Sequence, residues 1–538
     1  MKRLVALLLC LMLPVSFALA ETPDGKFPGF YTPPAMNEGQ YPIAGENLTL
    51  TYWMPINAGA ANFISSYDEN PSYQYIQEQT GVDIQFIHPA AGTEKESFQL
   101  LLGGDLPDMI LLPNGSYYTG DLQAMYEDGI IIDLTPYLDE YAPQYKQVSS
   151  ENDLAVAQCY SDGKALGFYK ITYADKMPYV RVNTNKDWLD EMGVAEPKTI
   201  AEYEAYFDWI LANKPGVTPI FVGTFSGTGS MEMNLFTGAF DFLYSWYVTK
   251  DDSTKVAYWA NSPEYKEFLT MMNSWYNKGY LGKDFLGMTM TEAQAQFDAG
   301  KLGAIVDSVD ATYSRVTALG ENGFTTTNLP YMRKEADSVL GSGLANTPVG
   351  DGGEWVTVIT TACKHPELAV QYLNYGYTYE GSLPFTFGLE GVHWNWGEDG
   401  VPKFTDEILN NPKGMTISNV SYALKIHFGA KYCYPDSIGH PGTASNTEAL
   451  RIRTMWKGDT NEQNFLQLPP VKLTAEESAE RTELMTQVDT YAKEMMVKYI
   501  TGAESLDTFD SYIQEVNEYG LTRATEITQG ALDRFLGK

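Results

Sequence analysis

Basic residues are scarce in this chain. Its 36 lysines and arginines stand against 69 aspartates and glutamates, a formal net charge of −33 over 538 residues. So negative a surface repels phosphate, which argues against nucleic acid and anionic membranes as partners. Cysteine is scarcer still, with only 4 residues, too few for a disulfide framework. After the first twenty residues no stretch approaches the ~20 uninterrupted apolar residues of a membrane-crossing helix. Catalytic signatures are also missing. Gly223-Thr-Phe-Ser226-Gly227 has the wrong spacing for a nucleophile elbow, Gly300-Lys301 lacks the glycine run of a phosphate loop, and Gly341-Ser-Gly343 fails the dinucleotide pattern. The histidines His88, His365, His393, His427 and His440 show no paired metal-ligand spacing, and Cys-x-x-Cys is absent. One enzymatic option survives, a secreted carbohydrate-active enzyme, because its two carboxylates leave no spacing signature among 69 acids.

Aromatic and apolar residues are plentiful. Tyrosine alone numbers 37, more than lysine and arginine together, and 44% of residues are hydrophobic. That composition fits a packed globular chain, and the length calls for two or more domains. Rings and acids with few bases suit a neutral polar ligand. The first segment is an address: Lys2 and Arg3, an apolar stretch from Leu4 to Leu13 and a small-residue site at Ala18-Leu-Ala20 describe a signal peptide over residues 1–20. Cys10 follows Leu7-Leu-Leu9 rather than small residues, so no lipid anchor is expected there. Cys159, Cys363 and Cys433 leave room for one disulfide, with small buried thiols as the expectation. Residues 21–45, rich in proline and glycine without periodicity, form an irregular leader.

Order begins at Leu48, where alternation to Met54 marks a strand. A helix ending at Thr80, a strand over Val82–Ile87, a helix over Glu94–Leu102 and an apolar strand over Pro107–Leu112 follow. This is the pattern of a parallel sheet with helical crossovers. A second αβ region opens with the capping box Thr199-Ile-Ala-Glu202, continues through helices near Pro263–Tyr276 and Thr291–Ala299, and enters a strand at Gly300–Val306. Another capping box, Thr474-Ala-Glu-Glu477, starts a helical C-terminal region.

Motifs spread over nearly the whole chain resemble the family 1 extracellular solute-binding proteins of ABC sugar importers, in particular their large lipoprotein-type oligosaccharide-binding branch. They include Gly104-Asp-Leu-Pro-Asp108, Asn185-Lys-Asp-Trp188, Glu196-Pro-Lys-Thr199, Trp275-Tyr-Asn-Lys-Gly279, Phe297-Asp-Ala-Gly300-Lys301, Gly388-Leu-Glu-Gly391-Val-His393 and Leu468-Pro-Pro470. The resemblance implies an α/β, two-lobe periplasmic-binding-protein fold of type II-like form with a helical C-terminal region. Lobe 1 is expected from 46–172 plus about 333–400, and lobe 2 from 173–332 plus about 401–538. It implies a non-enzymatic chain that captures an oligosaccharide between the lobes and delivers it to ABC permease subunits, as a monomer without cofactor. A receptor for a peptide or a charged sugar is the alternative binder. Some relatives carry an acidic calcium-type loop after the capped helix; Ala212-Asn-Lys-Pro-Gly-Val-Thr-Pro219 lacks the carboxylates, so no metal is expected. Without a lipidated cysteine, the exported chain is expected in the periplasm or at the cell-envelope exterior.

Ligands of such sheets meet the loops beyond the carboxyl ends of strands. That rule selects Trp53 and Asn57 after the first strand, Asn114, Ser116, Tyr117 and Tyr118 after the third, and Asp307 and Asp310 after the Gly300–Val306 strand. The resemblance adds Trp355 and the loop carrying Glu390, His393, Trp394 and Trp396. Each has a competing structural role. Trp53 and Trp355 adjoin apolar strands and suit burial, the two acids suit helix caps, and the 390–396 loop suits a structural lid.

Overall fold

The computed structural model describes residues 33–538, apart from breaks of one to three residues and the segments 173–179, 223–229, 309–322, 343–354, 414–422 and 432–462. The expected signal peptide, Cys10 and Cys433 lie outside the described residues. Along the chain, the strands that position the site are β1 (Thr49–Trp53), β2 (Asp83–Ile87), β3 (Met109–Leu112), β4 (Phe168–Tyr169), β5 (Val180–Asn185), β6 (Thr218–Phe221), β7 (Leu302–Ser308), β8 (Thr326–Leu329) and β9 (Val356–Ile359). The helices needed below are α1 (Pro71–Thr80), α2 (Glu94–Leu102), α3 (Leu122–Glu127), α4 (Asp153–Cys159), α5 (Ile200–Asn213), α6 (Tyr265–Lys278), α7 (Met290–Asp298), α8 (Ala475–Thr501), α9 (Phe509–Glu518) and α10 (Leu521–Phe535).

The first sheet has the order β2-β1-β3-β9-β4. Strands β1, β2 and β3 run parallel, in register from Thr49↔Asp83 to Trp53↔Ile87, because α1 and α2 return the chain each time. Helix α1 starts where the Asn70 side chain accepts from the amides of Ser72 and Tyr73, and stops at Gly81, whose φ of +73° suits a left-handed cap. Strand β9 joins antiparallel to β3, and β4 closes the far edge. Gly167 permits that closure: a Cβ there would stand 2.5 Å from the Val356 methyl.

The second sheet, in the order β8-β5-β7-β6, is mixed, with β7 parallel to β6 and antiparallel to β5. Helix α5 opens with the expected Thr199–Glu202 capping box, and Thr289–Glu292 forms another at the start of α7. The C-terminal helices α8, α9 and α10 pack on this sheet's side of the molecule. Val488, Tyr499, Tyr512 and Leu521 share one core with Val182, Phe207, Trp275 and Val306. Among the described residues no helix is long and apolar enough to cross a membrane.

Each sheet has its own core, and the chain passes between them three times: after Thr172, after Ser342 and after Lys431. This packing moves two of the expected boundaries. Residues 333–342 stay with the second core, where Arg333 bridges to Thr199 and Lys334 pairs with Glu267 at 2.6 Å. Phe404, Ile408, Ile426 and Phe428 pack in the first core instead of the second. Gly429, with a φ of +116°, passes so close to Gly376 that a Cβ would lie 2.3 Å from its carbonyl oxygen, which holds this segment against the first core until it leaves.

Candidate functional site

The crossings select the site. The chain leaves the first sheet just after Tyr169 and re-enters at Val356, and these two residues pair across β4 and β9. It enters the second sheet at Val180, the Cα partner of Ser308. The crossings therefore lie at one edge of each sheet. The ends of β1 and β3 belong to the first edge, and Arg181, Asp307 and the end of β8 to the second.

On the first edge, rings and imidazoles set the loops. Trp53 is only 2% exposed: Tyr117 meets it edge-on at 6.2 Å, and Phe98 of α2 lies 6.1 Å away. Both faces of the indole are thus in a protein core, and Tyr117, half-buried, is the ring that covers it. Tyr118 donates to Asp128, and burial together with that carboxylate pushes its phenol up to about 12. The Asn57 carbonyl accepts from Ala60 and Ala61, both at 2.9 Å, and so starts the short turn after β1. Trp355 is half-buried at the return crossing, where its carbonyl accepts from the Lys170 amide.

The sequence reading missed a group at the end of β2. His88 Nδ1 donates to the Met54 carbonyl at 2.7 Å, which leaves Nε2 to accept from the Tyr67 amide at 3.2 Å. His427 lies 4.7 Å from the Tyr67 ring and, through Nδ1, 3.2 Å from the Tyr73 hydroxyl. Two imidazoles and two tyrosines thereby tie the loop after β1 to the end of β2. The strand-end rule that chose Asn57 and Tyr117 reaches His88 when applied to the second strand.

On the second edge, Arg181 and Asp307 are Cα partners across β5 and β7. Arg181 is fully buried, its guanidinium 3.8 Å above the Tyr331 ring. Asp307 is 5% exposed and accepts from Gln294 Nε2 of α7 at 2.9 Å. The alternation of β5 explains the placement: Val182 turns into the second core, so Arg181 and Asn183 take the other face. Arginine inside a strand whose neighbours are buried is the available signal for a residue not chosen from sequence.

The loop over 390–396 is occupied by its own packing. Trp394 is fully buried against Phe387, its Nε1 donates to the Gly388 carbonyl at 2.8 Å, and Trp396 meets it edge-on at 4.9 Å. His393, 1% exposed, accepts from the Leu389 amide through Nδ1, and burial with nearby Lys425 pushes its pKa down to about 4. Position 388 requires glycine twice over: its φ is +80°, and a Cβ would stand 2.4 Å from the His393 ring. Glu390 is exposed at the rim of this hairpin. Asn114, Ser116 and Asp310 lie outside the described residues.

These strand ends gather rings, a planar cation and hydrogen-bonding groups held in place by neighbours, with Arg181 buried over Tyr331. Cys159 and Cys363 are free thiols that burial pushes up to about 12, so both stay protonated and weakly nucleophilic. Among the described residues no group of three His, Cys, Asp or Glu could hold a metal ion.

A family model described as bacterial extracellular solute-binding protein matches residues 45–382. The fructooligosaccharide ABC transporter substrate-binding protein FusA of Streptococcus pneumoniae is 22% identical over 516 residues, covering 88% of this chain and 89% of that protein. Among solved structures, alginate-binding protein AlgQ2 without calcium ion superposes with a TM-score of 0.71 at 19% identity, over 92% of this chain and all of the other. An HMO-binding, ABC-transporter-associated solute-binding protein from Bifidobacterium longum infantis gives 0.72 at 15% identity, over 91% of this chain and 99% of the other.

Proposed function

Because the chain belongs to the bacterial extracellular solute-binding protein family, we propose that it captures an oligosaccharide between two lobes and hands it to an ABC permease. The observation that supports this reading is the pair of strand-end edges beside the crossings. The first supplies the rings of Tyr117, His88 and Trp355, which suit the C–H faces of a sugar, and the Asn57 amide, which suits its hydroxyls. The second supplies Arg181 and Asp307, which suit its hydroxyls. The two cores are the two lobes, and closure about the crossings engulfs the ligand. The chain acts as a monomeric binder without turnover. Residues 1–20 direct export, and the mature chain carries no lipid anchor; recovery of a lipid-modified form from labelled cells would overturn that last point.

A thermal-shift screen of the chain from Glu21 against neutral and acidic oligosaccharides and peptides tests the reading. Ligand at about 100 times its dissociation constant adds roughly 2.7 kcal/mol to the folded state. One glycan class raising the melting temperature with no product formed is the expected result. Product release from glycans would show an enzyme, and a response to peptides alone would remove the sugar.

A further inference from the structure

In the segment leading into α8, the Lys472 side chain joins the two bodies. The backbone of this segment belongs to the second body: Leu468 and Val471 pack with Val248, Val256 and Leu532, and the Lys472 carbonyl accepts from Arg534 Nη2 of α10 at 3.1 Å. Arg534 is itself held by both carboxylate oxygens of Glu477 in α8. The Lys472 side chain, however, runs into the first body. Its Nζ donates to the Gln158 carbonyl at 3.2 Å, in the last turn of α4, whose Ala155 and Cys159 belong to the first core. Carbonyls at a helix C-terminus attract a cation. Around the ammonium lies a cavity of about 30 Å³, room for one water, lined by Asp121, Gln123, Ser161, Tyr169 and Lys472 among others. Asp121 supplies the opposite charge there and also caps α3 by accepting from the amides of Gln123 and Ala124. Burial works against the charge on Lys472, while Asp121 favours it.

The place of this contact matters. Tyr169 lines the cavity and lies three residues before Thr172, where the first crossing begins, so the lysine enters beside the point where the chain leaves the first sheet. Both of its ends are fixed to rigid elements. We propose that Lys472 is an interlobe pivot: its insertion into the socket formed by the C-terminus of α4 and Asp121 holds the two lobes at a fixed point beside the crossing, so that they turn about it and do not slide. The proposal rests on the two-lobed reading above and is independent of which solute is bound.

The test therefore uses the ligand-free chain. Spin labels on cysteines introduced at the exposed positions Glu140 and Asp510, one in each lobe, report the distance distribution between them, in a background with Cys363→Ser and Cys433→Ser. The wild-type side chain at 472 should give a narrow distribution, Lys472→Met one at least twofold broader, and Lys472→Arg a narrow one again. A Lys472→Met distribution that superposes on the wild-type one overturns the proposal. If Lys472→Met does not fold, Asp121→Asn decides in its place, since asparagine keeps the helix cap and removes the charge. Broadening in Asp121→Asn then supports the pivot, and an unchanged distribution refutes it. A flat sugar screen would leave this outcome untouched, so the two readings fail separately.

Discussion

The two sheets share a plan but not a filling. In the first, the central strands β3 and β9 read Met-Ile-Leu-Leu and Val-Thr-Val-Ile and are buried throughout. In the second, β5 and β8 read Val-Arg-Val-Asn-Thr-Asn and Thr-Thr-Asn-Leu, yet Arg181, Asn183, Thr184, Thr326, Thr327 and Asn328 are all buried. Hydrocarbon can pack in many ways, whereas buried polar groups must meet specific partners. Thr184 Oγ1 accordingly donates to the Gly303 carbonyl at 2.7 Å and lies 2.8 Å from the Tyr206 hydroxyl. The first sheet is a platform that lets its loops carry the rings. The second places a polar group, Arg181, directly from the strand.

The sharpest challenge to this contrast is Trp53→Ala. If the indole is core on the first edge, unfolding free energy in urea should fall by about 3–5 kcal/mol. A loss of ligand affinity at unchanged stability would instead make Trp53 a binding platform. Next in size is the one imidazole buried in the first body's satellite hairpin. His393 has a folded pKa of about 4, below its unfolded value of about 6.5, so the unfolded chain binds the extra proton. Stability is then complete above about pH 6.5 and falls by on the order of 3 kcal/mol as pH drops toward 4. His393→Asn should flatten that slope relative to the parent when both are unfolded across this range.

A smaller effect compares the edges directly. By calorimetry with the glycan that raises the melting temperature, Arg181→Met should weaken binding about a hundredfold and Tyr117→Ala about tenfold. The reverse order would place the main contact on the first edge. The smallest expected effect is that of salt. A neutral glycan held by rings and hydrogen bonds should change affinity less than about threefold between 20 and 300 mM salt. A steep decline would show that Arg181 meets a charged sugar.

The same contrast explains what was legible in the sequence. The strands and helices over 48–112 follow from apolar alternation and from turn chemistry at Pro55, Gly81 and Gly103, and they stand within two residues of their expected bounds. The capping boxes at Thr199 and Thr474 were equally plain. Strands β5 and β8 escaped because buried Asn and Thr imitate loop composition. Site residues were harder. Trp53 has the chemistry of a ligand contact, but its partner Phe98 comes from α2, whose proximity no local pattern reveals, whereas His393 and Trp394 are taken up within their own hairpin by Leu389 and Phe387. Tyr117 and Asp307 are placed beside the crossings, as the strand-end rule expects of their position.

The three crossings also set an order of assembly. The first core closes with Phe428, while the second draws Tyr499, Tyr512 and Leu521 from the last part of the chain. A chain threaded through a membrane emerges amino end first, and domains fold as units when their residues are out. In any amino-end-first emergence the first core is complete early, whereas the second keeps its apolar face open until α10 emerges. A chain cut before Thr474 would hold one complete core and one open, aggregation-prone one, which makes the C-terminal helices the step that completes folding.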